Sequence, residues 1–223
     1  MTTTPSSPAR RAALLGATLL GTGCAGGLLP KPAPAPARYT LGDAPAAASP
    51  AAPARTPAAA TPSTAPSLVV ALPNTAPGFD STRMVYLRQP QALQAYAFAE
   101  WVDTPARLLL PLLVQAVQNT GAFRAVLQAP SSATGALRLE TELLRLLHDH
   151  TQSPSEVRLS LRAVLLDTAT RQPLATREFD ARVPAPSDSP AGCVAAAATA
   201  TRQVLAEMAA YLAPFASGTR REP

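Results

Sequence analysis

His148 and His150 are the only imidazoles in the chain, and they flank Asp149. On a strand, i and i+2 side chains share a face, so a divalent metal held by nitrogen and carboxylate is the first chemistry to weigh. Two nitrogens do not close a tetrahedral site, and an exposed strand end or loop accounts for the triplet without an ion. Glu140 and Glu142 have the spacing of paired carboxylates for acid–base work, yet beside Arg138 they read as the solvated face of one strand. A phosphate-cradling glycine loop, G-x-S-x-G, H-E-x-x-H and C-x-x-C are all missing from the sequence. No catalytic, cofactor-binding or metal-binding residue is assigned, and the chain reads as a non-enzyme.

The two cysteines have separate fates. Arg10-Arg11 precede the short apolar run Ala12 to Leu20, then Gly21-Thr22-Gly23 and Cys24, which is the order of a positive region, an apolar region and a small-residue cleavage zone. The apolar run is shorter than the ~20 residues a membrane-spanning helix needs. Thr22-Gly23-Cys24 resembles the end of a bacterial lipobox, with Gly21 where that pattern usually has Leu and Leu20 one place earlier. Cleavage before Cys24 and lipid attachment to its thiol are expected, and several acyl chains at ~0.8 kcal/mol per buried CH₂ anchor stably where one would not. Ala25 stands where the enterobacterial inner-membrane retention signal has Asp, which favours delivery to the outer membrane. Arg10-Arg11 also permits twin-arginine export. Cys193 is left without a partner in the chain, so a disulfide framework is excluded and this cysteine reads as a small buried apolar residue.

Composition narrows the rest. Twenty-five prolines and only 15% charged residues mark large unfolded flanks around one core. Loss of Arg10 and Arg11 with the signal lowers the formal charge from +5 to +3, too mild and scattered for nucleic acid, and 4% aromatics leave few surfaces on which bases could stack. From Leu28 to Ser67 the chain is mostly Ala, Pro, Thr and Ser, interrupted by Tyr39-Thr40-Leu41. Such a stretch buries too little to offset its ordering entropy. The predicted organisation is a signal peptide over 1–23, a lipidated disordered tether over 24–67, a folded domain over 68–213 and a disordered tail over 214–223.

Within that domain, Leu68 to Leu72, Thr82 to Arg88 and Leu93 to Trp101 read as strands. Thr104-Pro105 opens a helix to Asn119-Thr120, with Gly121 as its stop, Leu109, Leu112, Leu113, Ala116 and Val117 on one face, and Pro111 inside it. Phe123 to Leu127 follows as a strand. Leu137 to Leu143 alternates as a strand with one wet face, whereas Leu143-Leu144 and Leu146-Leu147 break the alternation and admit a helix. Val157 to Leu165 and Leu174 to Val183 make an antiparallel pair around the loop Asp167 to Pro173. Ser189-Pro190 opens a last helix with Val194, Ala197, Ala198, Thr201, Leu205, Met208 and Leu212 on one face, ended by Pro214. The fold class is a single α/β domain, a mixed and largely antiparallel sheet packed with two main helices. Met84, Tyr86, Tyr96, Phe98 and Trp101 are core packing, or alternatively an interaction surface.

The cysteine near Tyr39-Thr40-Leu41, then Leu68-Val69-Val70, then Asp80-Ser81-Thr82-Arg83-Met84-Val85-Tyr86 through Tyr96 to Glu100-Trp101 and Pro105, resembles the ABC-type transport auxiliary lipoprotein family. That family includes paraquat-inducible protein C. The resemblance implies a periplasmic lipoprotein accessory to an MCE-type transport system that moves phospholipids or other hydrophobic compounds between the membranes of a Gram-negative envelope. The partners implied are an MCE-domain protein with its ABC permease and ATPase, a membrane reached through the lipid, and copies of the chain itself in a homo-oligomer. Cys24 is the only residue carried over. A stand-alone lipid-binding or envelope scaffold lipoprotein is the alternative. The long insert from Gly42 to Ser67 departs from the family pattern.

Overall fold

The computed structural model describes residues 34–42, 64–131 and 135–217. Apart from Pro34 they lie in one compact unit, Ala35–Pro223. The expected signal peptide with Cys24, most of the expected tether and residues 218–223 lie outside the described residues.

The described residues form a mixed α/β domain with two main helices on an open nine-stranded sheet. Its organiser is the thirteen-residue strand β7, Leu137–Asp149. On one edge β7 pairs antiparallel with β8, Glu156–Asp167, which pairs antiparallel with β9, Pro173–Pro184. The connection is closed by Asp167, whose carboxylate accepts the backbone N–H of Thr170 at 2.8 Å and its hydroxyl at 3.1 Å. On the other edge three short strands pair parallel with β7 in turn. These are β2, Ser67–Val70, at its start, β3, Asn74–Thr75, in the middle, and β4, Arg83–Leu87, at its end. Beyond β2 lies β6, Ala125–Gln128, and beyond β4 lies β5, Leu93–Trp101.

Two readings of the sequence are corrected here. The first concerns the broken alternation after Leu143. The segment is strand throughout, because Leu143 pairs with Leu161 and Arg145 with Ser160, which leaves Leu144 as the extra residue of a bulge. One inserted residue reverses the parity, so Leu137, Leu139, Thr141 and Leu143 point into the core before it and Leu146 and His148 after it. The second concerns the tether. Ala37–Tyr39, assigned to it from composition, is the edge strand β1, parallel to β5 in the register Ala37↔Ala99 to Tyr39↔Trp101. Leu41 just beyond it is completely buried. A tyrosine and one leucine in an Ala/Pro-rich stretch suffice, because the pocket they fill is already built by the rest of the domain.

Both helices start with proline in the first turn, where its missing N–H costs nothing. In α1, Pro105–Gln118, Thr104 takes the N-cap position, but its hydroxyl makes no capping bond. In α2, Pro190–Leu212, Ser189 does cap, accepting from Gly192 N–H at 3.2 Å. Of the predicted face of α2, Ala197, Thr201, Leu205, Met208 and Leu212 are buried, and the buried stripe extends to Cys193, Ala196, Ala200, Val204 and Ala209, which leaves Val194 and Ala198 at its flank. Small side chains let this helix approach Val157, Leu159, Leu161 and Phe179 closely. Pro214 does not end the order: Ala213–Ser217 forms a 3-10 turn with Ala216 buried.

The other face of β7–β9 carries ions instead of helices. Arg162 bridges Glu142 at 3.0 Å and Glu178 at 2.7 Å across three strands, and Arg138 holds Glu140 at 2.9 Å. The two glutamates singled out from the sequence thus belong to half-exposed ion pairs, Glu140 along its own strand and Glu142 across to β8, and not to an acid–base pair.

Candidate functional site

The bulge at Leu144 has a chemical outcome, since it turns His148 toward the α2 side of the sheet. His150 continues the strand direction, its N–H bonded to Leu87 O at 2.8 Å. The i, i+2 expectation holds, with the two rings 4.0 Å apart between centroids. The expectation of an exposed strand end does not: His148 is completely buried, and the side chain of His150 is 11% exposed. Asp149 faces away from the pair. It is bonded by Arg158 at 2.8 Å and by the N–H and hydroxyl of Thr151 at 2.8 and 2.6 Å. Burial alone would raise its pKa, but the Thr151 hydrogen bonds and the Arg158 charge hold it below the usual carboxylate range.

Three residues that the sequence did not link to the histidines complete the cluster. Tyr96 of β5 places its hydroxyl 2.8 Å from His148 Nδ1 and 3.0 Å from His150 Nε2. Ser155, buried before β8, lies 2.9 Å from His148 Nε2. Asp188, in the loop before α2, lies 2.5 Å from the Ser155 hydroxyl and 3.9 Å from His150 Nδ1. Tyr86 packs on Tyr96 at 4.6 Å and edge-on to His150 at 5.7 Å.

Proton positions follow from what each group can donate. A carboxylate only accepts, so the Ser155 hydroxyl donates to Asp188. The Ser155 oxygen then accepts from His148 Nε2–H, which leaves Nδ1 of that ring bare. Tyr96 O–H donates to this nitrogen and its oxygen accepts from His150 Nε2–H. The chain therefore runs one way, from His150 through Tyr96, His148 and Ser155 to Asp188, and ends with His150 Nδ1 facing the same carboxylate.

Burial is the main force on the ionisations. It pushes His148 down to about 4, helped by the neighbouring His150, and it also lowers His150, where Arg88 adds to it and Asp188 opposes it. Tyr96 is raised, first by burial and then by Cys193 and Tyr86. Cys193 is buried in α2 as expected, and burial pushes its thiol up to about 12, which leaves it an inert core residue. Cys24, the one residue with an assigned role, lies outside the described residues.

The aromatic group splits between the two readings made of it. Met84 and Trp101 are core, Tyr86 and Tyr96 join the histidine cluster, and Phe98 is 60% exposed. Phe98 and Leu93 of β5 and Val102 just after it are exposed, and among the described residues β1 covers the outer edge of β5 only from Ala99 to Trp101.

A model for the ABC-type transport auxiliary lipoprotein component matches residues 39–209, more than half of the chain. The chain belongs to this family of auxiliary transport lipoproteins. Among solved structures it is similar to XCC0632 of Xanthomonas campestris, described as a DUF330 protein, with TM-score 0.65 and 25% identity over 82% of this chain and 95% of that one. It shares the fold of an uncharacterized protein with TM-score 0.59 and 14% identity, over 80% of this chain and 99% of that one. No curated protein matches significantly.

Proposed function

We propose that this protein is a non-catalytic accessory of an MCE-type ABC transport system, held by lipid on Cys24 to the periplasmic face of the outer membrane of a Gram-negative bacterium. There it docks the transport machinery that moves phospholipids or other hydrophobic compounds between the membranes. The observation that carries this reading is the match to the auxiliary lipoprotein family over residues 39–209. The outer edge of β5 supports it: among the described residues no strand pairs that edge before Ala99, and a strand edge beside an exposed aromatic is a feature a partner strand or groove uses.

The test is a pull-down of the tagged full chain from detergent-solubilised envelopes. An MCE-domain protein and its permease should co-purify, and Phe98→Glu should reduce their recovery several-fold while the melting temperature stays within a few degrees, because an exposed side chain contributes little to folding. Recovery of lipid with the isolated chain and no transport component would favour the stand-alone lipid-binding or scaffold role instead.

A further inference from the structure

The hydrogen-bond chain leaves one contact incomplete. With His150 neutral, its bare Nδ1 faces Asp188 Oδ1 at 3.9 Å, so two lone pairs meet with no proton between them. A tetrahedral ion with bonds of about 2.0–2.2 Å to imidazole nitrogen and carboxylate oxygen holds those atoms roughly 3.3–3.6 Å apart, so the exposed Asp188 side chain need close in by only a few tenths of an ångström to share an ion with His150. We propose that His150, Asp188 and His148 form a binding site for one first-row divalent transition ion, for which Zn²⁺ is the probe.

Each of the three residues offers a ligand atom within 4.8 Å of the other two. The tautomers suit the role. A ligating imidazole characteristically donates its other N–H to an oxygen, which fixes its orientation and raises its basicity. Here His150 donates to the Tyr96 oxygen, and His148 donates to Ser155, which passes the bond on to Asp188. The Tyr96 oxygen lies 2.8 Å from His148 Nδ1, so this nitrogen joins the ion as the Tyr96 side chain swings off it. The side chain of Asp188 is 79% exposed, so an ion enters from solvent and water completes its coordination. Two features oppose a cation. Arg88 acts electrostatically on His150, and the N-terminus of α2 follows Asp188 directly. The site therefore belongs to a moderate binder, with a dissociation constant on the order of micromolar, well short of closed structural zinc sites.

The experiment is calorimetric titration of the metal-free full chain with zinc at neutral pH. One ion per chain is expected. Asp188→Asn retains the oxygen that accepts from Ser155 and sits on an exposed side chain, so it should fold as the parent does in a chelator, checked by a thermal melt. Asp188→Asn and His150→Gln should each weaken binding by ~10-fold or more, and zinc should raise the melting temperature of the parent reversibly with chelator. Absence of saturable uptake would overturn the proposal, as would uptake that both variants leave unchanged, which would place the ion elsewhere in the chain.

Discussion

His148 is a base held uncharged inside the domain, with both ring nitrogens engaged by Tyr96 and Ser155. Its pKa lies near 4 in the folded state, against about 6.5 for a free imidazole. Between those values the unfolded chain binds the proton and the folded one does not, so stability is complete above about pH 7 and falls as the pH is lowered toward 4. Urea titrations in the presence of a chelator should show a loss of about 2 kcal/mol from this residue between pH 7 and pH 5. His148→Gln should flatten that dependence even though it lowers stability at pH 7. At this scale the sequence was half informative. The shared face of His148 and His150 follows from their spacing, but Asp188 and Tyr96 reach the pair only through the tertiary fold, from residues 38 and 54 positions from His150. Asp149, adjacent in sequence, points elsewhere.

Among the elements, α2 illustrates how backbone geometry and the site depend on each other. A Cβ placed on Gly192 would lie 2.1 Å from Ser187 O and 2.5 Å from its Oγ, so only glycine lets the loop carrying Asp188 fold back over the first turn of the helix. Gly192→Ala should cost about 1–3 kcal/mol in chemical denaturation, as an overpacked site with a backbone atom in the way does. It should also displace Asp188 from Ser155 and His150, seen as a changed chemical shift of the histidine ring protons. The β8–β9 pair and both helices were legible because alternation and capping are local signals carried by Val157 to Leu165, Thr104-Pro105 and Ser189-Pro190. The two-residue β3, the bulge at Leu144 and β1 were not. Their residues carry no periodicity of their own and are specified by the long β7 and by β5, against which they pair.

For the molecule as a whole, the expected anchor and the folded domain are separable parts. Cys24→Ser should move the protein from the membrane fraction to the soluble periplasmic fraction with its melting temperature unchanged, and a variant that still sediments with membranes would sink the lipid-anchor reading. The family match begins at Tyr39, the last residue of β1, and the next described strand is β2. That placement has a mechanical side. Any tension applied from the N-terminal direction reaches the domain at β1, which resists with three register pairs along β5 and the buried side chain of Leu41. The twelve register pairs of β7 with β8 and the eleven of β8 with β9 are not loaded until β1 has let go. A strand held by three register pairs therefore stands ahead of pairings of twelve and eleven, as a fuse that yields before the core feels the load.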